Sequence, residues 1–295
     1  MKRIVTAVFT VLIFSKVLFS QADDKFSYLD ENEVKNFGKP LVTALGIGMN
    51  TGAYHTAYVP SGFQFSIGIK AMYMFIPEDQ LTFSPNLPAG YTSLKADDKT
   101  ATIFGDQGGI YAGTGGIIAY PNGLNEKQIP ILFPQATISY AGTELLFRYV
   151  PLKISNRDVS LFGVGLKHSI SQYISEPAVD VALQVMYNNF NIQNLVKSDH
   201  MAFSGQVSKA FGIFTAYSGL QYESSTLKFD YDIKGDPASG NPLLRQDRKA
   251  SAEVTGDNHL RWTLGGALKL AFLVLNADFS LGSQYVGSAG MIFQF

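Results

Sequence analysis

The sequence contains no cysteine, and only 16% of its 295 residues are charged. The lack of cysteine excludes a disulfide framework, thiolate-bound zinc and thiol catalysis. The charged fraction is low against the roughly 25% of a typical soluble domain, yet 13% of the residues are aromatic. Disordered chains have the opposite composition. The 23 basic residues do not exceed the 24 acidic ones, so the basic excess typical of nucleic-acid binders is missing and no nucleic-acid partner is expected.

Long apolar runs are also missing, because no stretch reaches the roughly 18 apolar residues of a transmembrane helix. At the N-terminus, Lys2 and Arg3 precede a mostly apolar stretch over residues 4–14. This pattern is typical of an export signal that is too short to anchor in a bilayer. It predicts a signal peptide over residues 1–20, cleaved after Ser20. An exported soluble protein and a transmembrane β-barrel remain as candidate classes.

Apolar residues recur at every second position in ten segments. Because successive side chains of a strand point to opposite faces, each segment is predicted to be a strand with one apolar face. Most segments are longer than the mean soluble strand of about 5–6 residues and match or exceed the roughly 9–11 residues of a tilted membrane strand. The segments are 62–76, 131–141, 143–152, 158–169, 178–190, 199–210, 212–232, 257–272, 273–283 and 285–295.

A soluble β-sandwich also alternates, but its polar face meets water and is commonly charged. Here the second face is largely Gly, Ser, Thr, Gln and Asn, which favours a crowded polar lumen. The sequence therefore predicts an all-β fold, a transmembrane antiparallel up-and-down β-barrel of about ten strands within a range of ten to fourteen. The two longest connections, 77–130 and 233–256, fall at the same end and are expected to be outer loops, since outer-membrane barrels have short periplasmic turns.

The barrel is expected to span residues 62–295, after an N-terminal periplasmic or plug segment over residues 21–61. Apolar residues at helical spacing predict one short amphipathic helix in that segment, with Pro40 in its first turn. The loop 233–256 is polar and is expected to be solvated. The loop 77–130 is open to two interpretations, a surface loop or a constriction folded into the lumen.

Charged side chains are expected on the lumen face of several strands. Mutual pairing is the favoured interpretation, and a selectivity lining is the alternative. The expected lumen residues are Lys70, Glu144, Arg148, Lys167, Asp180, Arg261, Lys269 and Asp278. The four histidines have no metal-ligand spacing, so neither a metal nor a cofactor is expected, and no catalytic residue is assigned.

The C-terminal strand places Met291, Phe293 and Phe295 at alternate positions. This ending resembles the recognition signal of outer-membrane barrels, which implies the barrel-assembly machinery and outer-membrane lipid as partners and the outer membrane of a Gram-negative bacterium as location. Residues 264–280, closing on 288–290, resemble the C-terminal strands of FadL-type transporters for hydrophobic compounds. The whole chain resembles an uncharacterised Bacteroidota outer-membrane barrel family distantly similar to that group.

The resemblance implies passive uptake or binding of small hydrophobic ligands. It predicts a continuous lumen, or a lateral opening near Gly163, Gly165 and Gly265. Two other functions remain open. One is a protease-like barrel enzyme, because two Asp/His pairs at the outer mouth could polarise a water; its residues are Asp199, His200, Asp257 and His259. The other is a structural barrel whose outer loops dock a partner.

Overall fold

The computed structural model describes residues 31–154, 157–193, 196–233 and 248–295, so the predicted signal peptide lies outside the described residues. Eleven strand segments close into one antiparallel barrel, and two of them continue one another as a single interrupted strand, which gives ten strands. The strands are β1 (Gln64–Phe75), β2 (Gln128–Tyr140), β3 (Thr143–Ile154), β4 (Arg157–Ser169), β5 (Asp180–Ile192), β6 (Val196–Phe211), β7 (Phe214–Ile233), β8 (Arg248–Thr255 and Leu260–Leu270), β9 (Leu273–Leu281) and β10 (Tyr285–Gln294).

Neighbours in sequence are neighbours in the wall, and β1 pairs with β10 to close it. The predicted fold, a ten-stranded antiparallel transmembrane barrel, is confirmed. Its apolar residues point outward: the exposed fractions of Ile67 and Leu264 are 50% and 56%, against 5% for Ser66 and 7% for Thr263 beside them. This outward apolar band is the surface that a transmembrane barrel presents to lipid.

One end of the barrel carries three two-residue turns and the C-terminus. In the turn between β2 and β3, Ala141 and Gly142 have φ values of 49° and 70°, the left-handed geometry of a tight hairpin. Phe295 exchanges two backbone hydrogen bonds with Phe65 at the same end. We call this the inner end and the opposite end, which carries the long connection 76–127, the outer end.

A helix, α1 (Glu31–Asn50), lies inside the barrel with most of its residues buried. It starts at the outer end, where the Phe37 carbonyl accepts a hydrogen bond from Ile103 N, and descends toward the middle of the lumen. An extended segment continues to the inner end, where the Ser61 carbonyl accepts from Ala141 N. We call residues 31–63 the plug, because they traverse the whole lumen. Among the described residues, no helix is long and apolar enough to cross a membrane.

The expectation that Pro40 lies in the first turn of the helix is wrong, because α1 begins at Glu31 and Pro40 lies in its middle. Proline lacks an N–H and normally disrupts a helix interior. Here the surroundings supply partners near the disruption. The Phe37 carbonyl accepts from the backbone of Ile103, and the Pro40 carbonyl accepts from Gln284 Nε2 at 3.2 Å.

The connection 76–127 folds over the outer mouth as a cap. Its short strands pair locally and add none to the barrel; they are Thr82–Phe83 with Thr100–Ala101, and Thr92–Ser93 with Ile110–Gly113 and Gly116–Ala119. Ile103 and Phe104 pack on α1 in the main apolar cluster. The predicted outer loop 233–256 is shorter than expected, since residues 248–255 extend the wall and 234–247 lie outside the described residues.

Candidate functional site

Two buried arginines hold the end of α1 in the middle of the lumen. From β3, Arg148 donates to the carbonyls of Met49 at 2.7 Å and Thr51 at 2.9 Å. The last carbonyls of a helix lack intrahelical donors and carry partial negative charge, so a guanidinium satisfies them well. Gln135 Oε1 on β2 accepts two further hydrogen bonds from Arg148. The plug is thus bonded to the wall by its backbone.

Arg261 on β8 binds the same end of the helix from another side. It donates to the Ile47 carbonyl and to the Thr51 hydroxyl, and its guanidinium pairs with Glu223 at 2.5 Å. Glu223 is fully buried and also accepts from Gln221 and Asn258. Glu223 was missing from the expected lumen residues, although the outward Tyr222 beside it assigns it inward by strand parity.

Among the other expected lumen residues, Lys167 pairs with Glu144 at 2.9 Å and donates to the Thr56 carbonyl of the plug. The Asp278 carboxylate accepts from the Tyr217 hydroxyl at 2.8 Å, whereas the buried Lys70 ammonium has no hydrogen-bond partner among the described residues.

Near the inner end, half-buried Asp180 and exposed Lys269 line a polar cavity of about 290 Å³. His55 of the plug forms part of the same cavity. Burial, and then the positive charges of the lysines at 70, 167 and 269, lower the pKa of His55 well below its ordinary value. The imidazole is therefore neutral near pH 7.

On one side of α1, the outer half of the lumen is apolar, unlike the polar lumen that the sequence predicts. A cavity of about 60 Å³ lies between α1 and the wall. We call it the apolar chamber. Its lining residues are Leu41, Ala44, Leu45 and Met49 of α1, Met74, Ile129, Pro130, Ile131, Phe133, Val159, Leu161, Phe190, Ile192 and Val196. In segments such as 129–133, the odd-numbered and the even-numbered positions are both apolar, and this pattern could have revealed an apolar chamber from the sequence.

The wall beside the chamber is incompletely paired. The ladder between β2 and β3 runs from the inner turn to the pair Gln135↔Arg148 and has no further pair among the described residues, although both strands continue outward. The opposite edges stay paired, β2 with β1 and β3 with β4, over their full lengths. We call the unpaired stretch, residues 129–134 facing 149–154, the seam.

Prolines explain why the pairing stops. N–H and C=O groups of an antiparallel strand point alternately to its two neighbours. The carbonyl of Lys127, just before β2, accepts from Ile76, just after β1, so the backbone groups of even-numbered residues of β2, including Pro130 and Pro134, point to β3. The carbonyl of Gly142, just before β3, accepts from Ser169 of β4, so the backbone groups of odd-numbered residues of β3, including Pro151, point to β2.

In continued register, the hydrogen-bonding pairs of the seam are Pro134 with Tyr149, Leu132 with Pro151, and Pro130 with Lys153. Each pair contains one proline and has therefore lost one of its two N–H donors. For this reason, prolines within β-sheets are found mainly on edge strands. The seam is thus a built-in edge within an otherwise closed wall.

The expected site of a lateral opening is wrong. Gly163 and Gly165 are paired with Arg148 and Leu146 in the β3–β4 ladder, and Gly265 is paired on both sides. Glycine weakens a strand but keeps its N–H, whereas proline removes the donor. The part of the wall without ladder pairs therefore coincides with the prolines and not with the glycines.

The four expected protease-like residues have separate partners. Asp199 accepts from Tyr187 at 2.6 Å, whereas His200 on the next position points inward and bonds Ser198. Asp257 pairs with a lysine of α1, and His259 stacks on an aromatic ring. Across the described part of the chain, no three His, Asp or Glu residues gather as a metal ion would require.

The C-terminal residues of the expected assembly signal lie on the outward face of β10. Met291 and Phe295 are exposed, and Phe293 is half-buried. Phe272 of the neighbouring turn stacks on Phe293 and Phe295, with ring centroids 6.2 and 6.4 Å apart. These side chains form an aromatic patch at the inner end of the wall.

Solved structures similar to this chain are bacterial barrels of low identity. Ail of Yersinia pestis, in complex with sucrose octasulfate, is 10% identical over 79% of this chain and 99% of its own, with a TM-score of 0.24. OmpF of Salmonella typhi, in complex with daunomycin, is 8% identical over 79% and 97%, with a TM-score of 0.25. The toluene transporter TodX of Pseudomonas putida is 7% identical over 81% and 90%, with a TM-score of 0.24.

The comparison with curated proteins gives no significant match. The family comparison covers the full sequence, since residues 1–295 match the "Family of unknown function (DUF6588)". The chain belongs to this family.

Proposed function

We propose that this protein is an outer-membrane β-barrel of a Gram-negative bacterium that takes up small hydrophobic molecules by binding them in the apolar chamber. The observation that carries the proposal is the chamber itself, an apolar cavity inside the barrel that reaches Pro130 at the seam. Ligand pockets are typically concave and mostly apolar. The resemblance of the C-terminal strands to FadL-type transporters supports the same function.

The plug favours a lateral route over a straight one. Residues 31–63 traverse the lumen and are bonded to the wall by Arg148 and Arg261, so the plug occupies the path along the barrel axis. The seam lies in the wall beside the chamber, and each of its three hydrogen-bonding pairs can form at most one backbone hydrogen bond, so the two strands are held together less firmly there than in the paired wall. A hydrophobic molecule dissolved in the bilayer would reach the chamber through it.

The size of the chamber limits the ligand. An engineered apolar cavity of about 150 Å³ binds benzene, whereas this chamber measures about 60 Å³. Two of its lining residues, Met49 and Met74, are long and unbranched, and such side chains adapt readily to new shapes. Movement of these two side chains would make room for a single aromatic ring.

Location and partners follow from the outward face. Its apolar band would contact outer-membrane lipid, and Met291, Phe293 and Phe295 would be read by the barrel-assembly machinery. The inner end, with its short turns, would face the periplasm, as in outer-membrane barrels generally. Proteinase accessibility of the cap in intact cells tests this orientation.

Binding can be measured by ¹⁹F NMR with 4-fluorotoluene and the full-length protein in detergent micelles. Ala44 of α1 lines the chamber and is fully buried, so Ala44→Leu fills part of it. Ala71 lies on the exposed lipid face, and Ala71→Leu is the matched control. We expect a protein-bound resonance in the wild type and in Ala71→Leu that is lost in Ala44→Leu. Equal spectra of the two variants would refute binding in the chamber.

A further inference from the structure

The seam carries more hydrogen-bond acceptors than donors. Its three hydrogen-bonding pairs contain six residues and therefore six carbonyls, but three of the six are prolines, which leaves three N–H groups. The described residues form no ladder pair across the seam. The imbalance is a property of the sequence and persists however closely the two strands approach each other.

This imbalance matters because of where the seam lies. Backbone groups within a bilayer must be paired inside the protein, since hydrocarbon supplies no partner. An unpaired buried carbonyl costs free energy comparable to a lost hydrogen bond. The missing partner is in each case a donor, so anything that pairs the surplus carbonyls must bring an O–H or N–H group.

The chamber and the seam are continuous at one residue. Pro130 lines the chamber, and strand alternation places its carbonyl on the edge of β2 that faces the seam. A molecule whose apolar part fills the chamber therefore places its edge beside the acceptor-rich strand.

We infer that the ligand of the chamber is a hydrophobic molecule with one hydrogen-bond donor, of the class of phenols and alcohols, and that its donor binds a seam carbonyl. This inference rests on the proposed function, because it concerns the ligand of the same chamber. It separates two kinds of hydrophobic solute, since a pure hydrocarbon fills the chamber but leaves the carbonyls unpaired.

The test compares three ¹⁹F probes of similar shape, 4-fluorophenol, 4-fluorotoluene and 4-fluoroanisole, with the wild-type protein. Only the phenol has a donor, and the anisole keeps its oxygen with the donor methylated. After correction for partition into protein-free micelles, we expect the phenol to bind about tenfold more tightly than the other two, the effect of one hydrogen bond to an otherwise unpaired group. Equal affinities for all three probes would overturn the inference.

The second arm restores the donors. The triple variant Pro130→Ala/Pro134→Ala/Pro151→Ala regains three N–H groups, so the preference for the phenol should fall to about one. Pro177→Ala, in an exposed inner turn, is the matched control and should keep the preference. A triple variant that folds and keeps the full preference would overturn the inference; if it does not fold, the three wild-type affinities decide alone.

The two proposals fail in different ways. If no probe binds, or if Ala44→Leu leaves binding unchanged, the proposed function fails. If all three probes bind equally in the chamber, the proposed function stands and only the donor requirement is lost.

Discussion

The hydrogen bonds of Arg148 to the plug make a quantitative prediction. In Arg148→Met, the carbonyls of Met49 and Thr51 lose their donors at 2.7 and 2.9 Å. Each buried carbonyl left unpaired costs about 1 kcal/mol. The free energy that holds the plug in the lumen should therefore fall by about 2 kcal/mol, which corresponds to a roughly 30-fold larger open population.

The sequence has no cysteine, so one introduced thiol reports on the plug alone. Ala53 lies just below α1 and is 3% exposed, and Ala53→Cys should react with a maleimide only when the plug leaves the wall. When closing is faster than the reaction, the labelling rate is proportional to the open population. We expect Arg148→Met to raise the labelling rate about 30-fold.

The control is Arg157→Met, which removes a half-buried arginine near the outer end of the wall. The labelling rate of this variant should stay within about twofold of the wild-type rate, as expected for a site outside the core. If the Arg148→Met protein is labelled at the wild-type rate, or if both variants accelerate labelling equally, the Arg148 hydrogen bonds do not hold the plug in the lumen.

Three further predictions concern the plug and the wall. Gly46→Val should expel the plug, because a β-carbon there would collide with the Ser225 hydroxyl; limited proteolysis should detect the release, and Ser225→Gly should partly reverse it. Because burial lowers the pKa of His55, the plug should bind the wall most strongly above the ordinary histidine pKa of about 6.5 and more weakly as pH falls below it. The labelling rate of Ala53→Cys should therefore rise as pH falls, and His55→Gln should remove this pH dependence. Leu264→Arg on the lipid face should cost about 2–4 kcal/mol in bilayer unfolding measurements, whereas Leu94→Arg, on the exposed cap, should cost under about 0.5 kcal/mol.

The wall was predictable because its signal is local. Alternation in segments such as 62–76 and 257–272 reflects two environments, lipid and lumen, on the two faces of each strand. The loop parity then followed from counting strands. The first segment of β8 was missed because residues 248–255 extend beyond the lipid band, where strands need no apolar face.

The interior was less predictable because its partners are distant in sequence. The lumen face around the chamber is apolar since it packs on a helix rather than on water, and a period-two pattern alone does not reveal what covers that face. Pro40 in mid-helix is tolerated through contacts from Ile103 and Gln284. The seam is an intermediate case. Pro130 and Pro134 share one parity in the sequence, but their effect requires the register with β3.

If hydrophobic molecules reach the chamber through the seam, a covalent link across the seam should block their entry. Leu132 and Pro151 would be partners there in continued register, so Leu132→Cys/Pro151→Cys can be joined by a short bismaleimide. The matched control joins Leu145→Cys and Leu166→Cys, which are direct partners in the paired β3–β4 wall.

The exchange rate of 4-fluorotoluene between lipid vesicles and the reconstituted protein is measured by ¹⁹F exchange NMR before and after crosslinking. We expect exchange to slow at least tenfold when the seam is joined and to be unchanged in the control. Exchange at the same rate with a joined seam would show that hydrophobic molecules enter by another route.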